Sequence, residues 1–174
     1  DAGVLLICAA SGVEVGAELQ WQYLDEAGLP RLVLVNKMDR DNASFERALE
    51  QLANKFDKTF VPIQLPIGAQ EAFKGYVDLV AMKAVYYEGA NGEQVRTDEI
   101  PAELNDEAQK HRQHMLEALS MYSDELLELL LAEEPVPETL IRRVTKEAVL
   151  GLQLTPVFMG TAYRNKGVQT LLDA

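Results

Sequence analysis

Arg31-Leu32-Val33-Leu34-Val35-Asn36-Lys37-Met38-Asp39 is the stretch whose reading decides the fold. Four branched apolar residues in a row predict a strand buried on both faces, as in a parallel sheet. The polar cluster after it falls at the carboxyl end of that strand, where open α/β sheets bind ligands. An ionised Asp39 offers two acceptor oxygens side by side. They match the ring N–H and exocyclic amine on one edge of guanine, whereas adenine has an acceptor and no amine there. Lys37 carries a methylene stem able to cover a base or sugar while its ammonium stays hydrated. Asn36, both donor and acceptor, suits a tie between neighbouring loops. These residue types point to the base-reading half of a GTP site.

The same four-letter pattern recurs at Asn54-Lys55-Phe56-Asp57. There it ends the run Phe45, Ala48, Leu49, Leu52, Phe56, whose spacing is that of a helix face, and helical side chains fan out instead of converging. An ordinary solvated helix end is expected at that position. Asp25-Glu26-Ala27-Gly28 spells Asp-x-x-Gly, a phosphate-switch pattern, but no strand precedes it and Gly28 reads as a helix stop.

Working outward, a first strand is expected at about Val4 to Ala10 and a helix at about Glu14 to Ala27, with Leu19, Tyr23 and Leu24 on one side. Ser44 is placed to cap a helix over Phe45 to Phe56. Thr59 to Leu65 is strand-like but broken by Pro62 and Pro66, which predicts irregular or edge placement. Short strands follow at Tyr76 to Val80, Lys83 to Tyr87 and Gln94 to Arg96, the last after a turn at Gly89-Ala90-Asn91-Gly92. Helices are expected over Glu103 to Ser120, Asp124 to Ala132 and Glu138 to Leu150. Thr155-Pro156-Val157-Phe158-Met159 returns to an apolar strand before a final helix from Gly167 to Leu172. Strand–helix alternation at both ends around a mixed middle predicts an α/β fold, residues 1–67 and 151–174, interrupted by an α+β insert over residues 68–150.

Composition narrows the function. With 48% hydrophobic and 25% charged residues the chain is that of a globular protein, and no apolar run is long enough to cross a bilayer. A net charge of -12 argues against gripping phosphate backbone as the main task, so sequence-specific nucleic-acid binding is not expected. The single cysteine, Cys8, cannot form an internal disulfide, which fits a cytoplasmic setting, and its strand position predicts a small buried hydrophobe. The chain opens abruptly in a strand-like segment, as a piece of a longer polypeptide would.

Gly160-Thr161-Ala162 follows its strand just as Asn36 follows Val35, so neighbouring strand ends would bring both loops to one rim. Small residues let backbone N–H groups approach closely, and the Ala162 amide is the expected donor to guanine O6. Together with Val33-Leu34-Val35-Asn36-Lys37-Met38-Asp39-Arg40, the strings Val61-Pro62-Ile63-Gln64-Leu65-Pro66-Ile67-Gly68, Phe73-Lys74-Gly75-Tyr76-Val77-Asp78-Leu79 and Gly160-Thr161-Ala162-Tyr163-Arg164-Asn165-Lys166-Gly167-Val168-Gln169 resemble the translational GTPases, most closely the bacterial elongation factor G family. The resemblance covers the whole chain. It implies a cytosolic factor that binds the ribosome, hydrolyses GTP and drives translocation in protein synthesis. It implies that the insert is the one found in that family's nucleotide domain, and that Asn36, Lys37, Asp39, Thr161 and Ala162 contact the base. The family usually has Ser where Thr161 stands, and a glycine where the loop here reads Asp41-Asn42-Ala43. An elongation factor G paralogue, of the ribosome-protection or release type, is the alternative.

No Gly-x-x-x-x-Gly-Lys-[Ser/Thr] occurs in these 174 residues, nor does the histidine that follows the γ-phosphate switch in this family. The expectation is the carboxyl part of a nucleotide domain, with the base pocket but without the phosphate and Mg²⁺ ligands, inactive alone towards GTP. The family's phosphate-loop strand lies beside the strand equivalent to Val4 to Ala10, so that strand is expected to be an exposed edge prone to dimerisation. The insert's acidic residues read most simply as a solvated face. The resemblance implies a docking role for such helices on the ribosomal stalk protein, with Glu103, Asp106 and Glu107 as first choices. His111 and His114 read as surface histidines, with no metal site expected. Leu116, Leu119, Leu126, Leu127, Leu129 and Leu130 are expected in the core.

Overall fold

The computed structural model describes residues 2–89 and 91–174. Ala90, within the expected turn at Gly89 to Gly92, lies outside the described residues. The elements are β1 (Gly3–Cys8), α1 (Val15–Glu26), β2 (Arg31–Asn36), α2 (Phe45–Lys55), β3 (Thr59–Pro62), β4 (Gln64–Ile67), β5 (Gly75–Asp78), β6 (Lys83–Glu88), β7 (Gln94–Asp98), α3 (Asn105–Ser120), α4 (Asp124–Leu131), α5 (Glu138–Leu150), β8 (Leu154–Met159) and α6 (Val168–Leu172). β1, β2, β8 and β3 form a parallel sheet in that order, and β4, β5, β6 and β7 an antiparallel meander. The chain is therefore α/β with a second, antiparallel sheet, and its helices α3, α4 and α5 come between β7 and β8.

In the parallel sheet, β8 is buried along its whole length and β2 nearly so, because both lie between neighbours. β1 alternates instead: Leu5, Ile7 and Ala9 are buried, while Val4 and Leu6 are exposed. It is a half-covered strand at the end of the sheet, and Cys8 is only partly buried, not the enclosed hydrophobe its strand suggested.

Prolines sit where missing N–H groups do least harm. Pro62 ends β3, the other edge of this sheet, and Pro66 lies in β4, an edge of the meander. Pro156 is in a central strand, but the ladder from β8 to β2 begins only at Val157. Beyond Pro62 the chain leaves β8 for the second sheet, which starts at Gln64. The Met159 N–H would then lack a strand partner, and the Gln64 side chain supplies one, its Oε1 accepting at 2.8 Å.

Two apolar cores result. One gathers Leu5, Val33, Val35, Trp21, Ala48, Leu52, Val157 and Met159, with Tyr76 and Tyr87 from the second sheet. The other packs Leu116, Leu119, Leu126, Ile141 and Val144 of the later helices on Leu65, Val77 and Leu154. Half-buried Arg112 ties α3 to the β5–β6 turn by donating to the carbonyls of Leu79 and Val80.

Two helix faces differ from expectation. In α1 the buried residue is Trp21, with Ala17 and Leu24 partly covered, whereas Leu19 and Tyr23 point outward. Residues 17, 21 and 24 follow the i, i+4, i+7 stripe, and Trp21 stacks on Phe56 with ring centroids 4.4 Å apart. In α4 Leu127 is 40% exposed, since one step of 100° carries it off the face that buries Leu126.

Candidate functional site

β2 and β8 are parallel neighbours, with Val35 opposite Met159, so the segments leaving them share one rim. Their backbones are stitched together. Gly160 N–H donates to the Val35 carbonyl at 3.0 Å, and Met38 N–H donates to the Gly160 carbonyl at 3.1 Å. Met38 is buried and anchors the first loop, while Lys37 takes a left-handed conformation at φ 62. A non-glycine residue there marks a turn held by its surroundings. Asn42 is also left-handed, at φ 61, so the residue replacing the usual glycine is one that tolerates that region.

The side chains complete the join. Asn36 Oδ1 accepts from its neighbour Lys37 N–H at 2.8 Å and from Ala162 N–H at 2.9 Å, linking the two loops. The Ala162 amide, expected to face a carbonyl oxygen, is thus engaged by Asn36. The Thr161 hydroxyl, 1% exposed as a residue, donates to Asp39 Oδ1 at 2.6 Å. Asp39 Oδ2 lies 2.9 Å from Arg164 Nε. Asn36, Lys37, Asp39 and Thr161 line a cleft of about 490 Å³, with Arg40, Asp41, Glu71, Tyr163 and Arg164.

Glycines allow the tight return from β8 to α6. A Cβ on Gly160 would come within 2.4 Å of the Lys166 carbonyl oxygen, and one on Gly167, at φ 84, equally close to that of Met159. Lys166 Nζ donates to the Phe73 carbonyl at 3.1 Å. Burial, then the charge of Arg164, pushes its pKa down, with Asp39 opposing. Cys8 closes the same rim beside β2. Burial pushes its thiol up, but hydrogen bonds from Ser11 and Ala10 and the charge of Lys37 outweigh that and hold it below the usual value.

The look-alike motifs lie elsewhere. Asn54 and Lys55 end α2, Lys55 pairs with Glu18, and Asp57 borders a shallow depression near the amino ends of β3 and β8. Asp25 closes α1 and pairs with buried Arg31, whose guanidinium lies 4.2 Å from the Trp21 ring centroid. Glu103, in the turn before α3, and Asp106 and Glu107, in the first turn of α3 where carboxylates complement the helix dipole, are exposed. They are not part of the cleft. His111 pairs at 3.9 Å with Glu107.

Arg164, Tyr163 and Glu71 are cleft residues that sequence reasoning did not single out. The first two sit within a quoted family string, and Tyr163 is fully exposed at the rim. Glu71 arrives from a short 3-10 turn, Gln70–Ala72, with no local signal to mark it.

A β2 end with a carboxylate, joined to a β8 end with small residues, is an arrangement suited to holding a flat heterocycle by its edge. The chain belongs to the elongation factor Tu GTP-binding domain family, whose model matches residues 1–174. It is 49% identical over 174 residues to Elongation factor G of Rhodopirellula baltica, and 43% identical over 175 residues to Elongation factor G 1 of Desulfotalea psychrophila. Each comparison takes in 100% of this chain and 25% of the relative, so the chain spans about a quarter of their length. A crystal structure of a protein from Thermus thermophilus superposes with a TM-score of 0.86 at 33% identity, over 99% of this chain and 26% of that one. No helix among the described residues is long and apolar enough to cross a membrane. Nor do three or more His, Cys, Asp or Glu gather there in a way that could hold a metal ion.

Proposed function

We propose that this chain is the guanine-recognition part of a ribosome-associated translational GTPase of the elongation factor G type, acting in translocation. On this reading residues 1–67 and 151–174 are the carboxyl part of the nucleotide domain and residues 68–150 its insert. GTP or GDP binds by its base to Asp39, with Lys37 and Tyr163 beside the ring and the Ala162 N–H shared between guanine O6 and Asn36 Oδ1. The phosphates and Mg²⁺ are held by parts of the protein outside this chain, in the cytoplasm. The observation that carries the reading is the Asp39 carboxylate fixed by the Thr161 hydroxyl at 2.6 Å beside an amide held by Asn36. A pre-aimed acceptor pair selects a ligand with two adjacent donors, because only such a ligand satisfies both oxygens at once.

Asp39→Asn tests it. An amide replaces one acceptor oxygen by a donor, which opposes the guanine edge and suits xanthine, whose second carbonyl needs a donor. The two bonds at stake involve a charged acceptor, worth about 1.5–3 kcal/mol each, so guanine nucleotides should bind about a hundredfold more weakly or worse. Competition between GDP and xanthosine diphosphate in the intact protein reads the outcome. An unaltered base preference would refute the assignment.

A second, compatible role is docking of the insert on the ribosomal stalk protein. It is supported by the exposed acidic residues Glu103, Asp106 and Glu107, whose carboxylates lysines of a partner could reach. A paralogue of the ribosome-protection or release type would use the same base site.

A further inference from the structure

Each Asp39 oxygen already has a partner. Oδ1 accepts the Thr161 hydroxyl, which leaves it a further lone pair, and Oδ2 lies 2.9 Å from Arg164 Nε. The second contact has a particular chemistry. The guanine edge that a carboxylate reads is N1–H, C2 and the 2-amino group, a guanidine unit built into a ring. Arginine presents the same planar set of N–H donors around one carbon. We infer that Arg164 is an internal mimic of that edge: it competes with guanine for Asp39 and must swing out before guanine binds. This rests on the reading of Asp39 as the guanine selector.

The surroundings suit such a movement. The backbone of Arg164 is fixed, its N–H donating to the Thr161 carbonyl at 3.0 Å. Its own carbonyl oxygen is backed by Gly92, where a Cβ would approach to 2.5 Å. The side chain is 55% exposed and so has an open path into solvent, whereas that of Asp39 is 16% exposed. Without a guanidinium or a base, a largely covered carboxylate would lose its charge partner. The plug therefore keeps Asp39 paired. An ion pair with one half-exposed partner is worth only a few-fold in an equilibrium, so Arg164 lowers the apparent affinity for guanine about three- to tenfold without closing the site.

Guanosine is the probe, because it is uncharged and makes no phosphate contacts. Calorimetric titrations of the intact protein are compared for wild type, Arg164→Met and Arg164→Lys over a series of salt concentrations. Arg164→Met should bind guanosine about three- to tenfold more tightly and with little salt dependence, and Arg164→Lys should fall between. Wild-type affinity should rise with salt as the internal pair is screened. Equal or weaker binding by Arg164→Met, with wild type still preferring guanosine to adenosine, would overturn the plug and leave the base site standing. A flat salt series for wild type would overturn it too, whether or not the variants fold. If no form binds guanosine, the reading of Asp39 fails and this inference falls with it.

Discussion

Thr161 acts through one hydrogen on its hydroxyl. Buried beneath the rim, it gives that hydrogen to Asp39 while its backbone N–H donates to the Lys166 carbonyl at 2.9 Å. Thr161→Val keeps the shape and removes the donor, leaving a carboxylate oxygen short of a partner. A bond to a charged acceptor contributes about 1.5–3 kcal/mol, and the variant should lose close to that in denaturant unfolding. Thr161→Ser keeps the hydroxyl and should cost less, which makes the pair a control for cavity effects. At this scale the sequence was readable where a strand delivers the residue: Asn36, Lys37 and Asp39 follow directly from Arg31 to Val35. It was unreadable where the partner depends on tertiary approach. Nothing local says that Arg164 folds onto Asp39, or that the loop tie expected of Asn36 is made to the Ala162 amide.

Among the elements, the turn from β8 into α6 is the most tightly constrained part of the rim. Gly160 and Gly167 lie against each other's flanking carbonyls, and Gly167 is left-handed as well. Gly167→Ala meets both a backbone oxygen at 2.4 Å and an unfavourable φ. Left-handed strain alone costs about 1–3 kcal/mol, so a loss of at least about 2 kcal/mol is expected in urea unfolding. Alanine at Gly16, which has nothing within 4 Å of a Cβ and lies inside α1, should instead be neutral or stabilising. Apart from the split into β3 and β4, apolar runs and stops marked the strands and helices to within a residue or two, most plainly β2 and β8, which are enclosed. The inward face of α1 was harder. Leu19 and Tyr23 form one plausible stripe and Trp21 with Leu24 another, and only the aromatic stack under the sheet decides between them.

For the molecule as a whole, the open end of the parallel sheet is the exposed liability. Among the described residues β1 has a strand neighbour on one side only, and its Val4 and Leu6 are exposed. We propose that this edge pairs with a second copy when nothing else covers it. Leu6→Lys puts a charge on the strand, and sedimentation of the 174-residue chain should move towards monomer with an unchanged circular dichroism spectrum. A mass independent of concentration in the unaltered chain would remove the idea. The alternation of strands and helices at both ends made the α/β class legible. The point where the second sheet departs was blurred, since Thr59 to Leu65 reads as one interrupted strand until Gln64 is seen to change allegiance.

That change of allegiance has a mechanical corollary. A lone carboxamide, reaching across the gap left by Pro62, grips the Met159 N–H, one residue before Gly160. The same peptide is the root of the ledge that carries Thr161. Any tilt of the meander away from β8 therefore tugs at the ledge directly, with no intervening loop to absorb the slack.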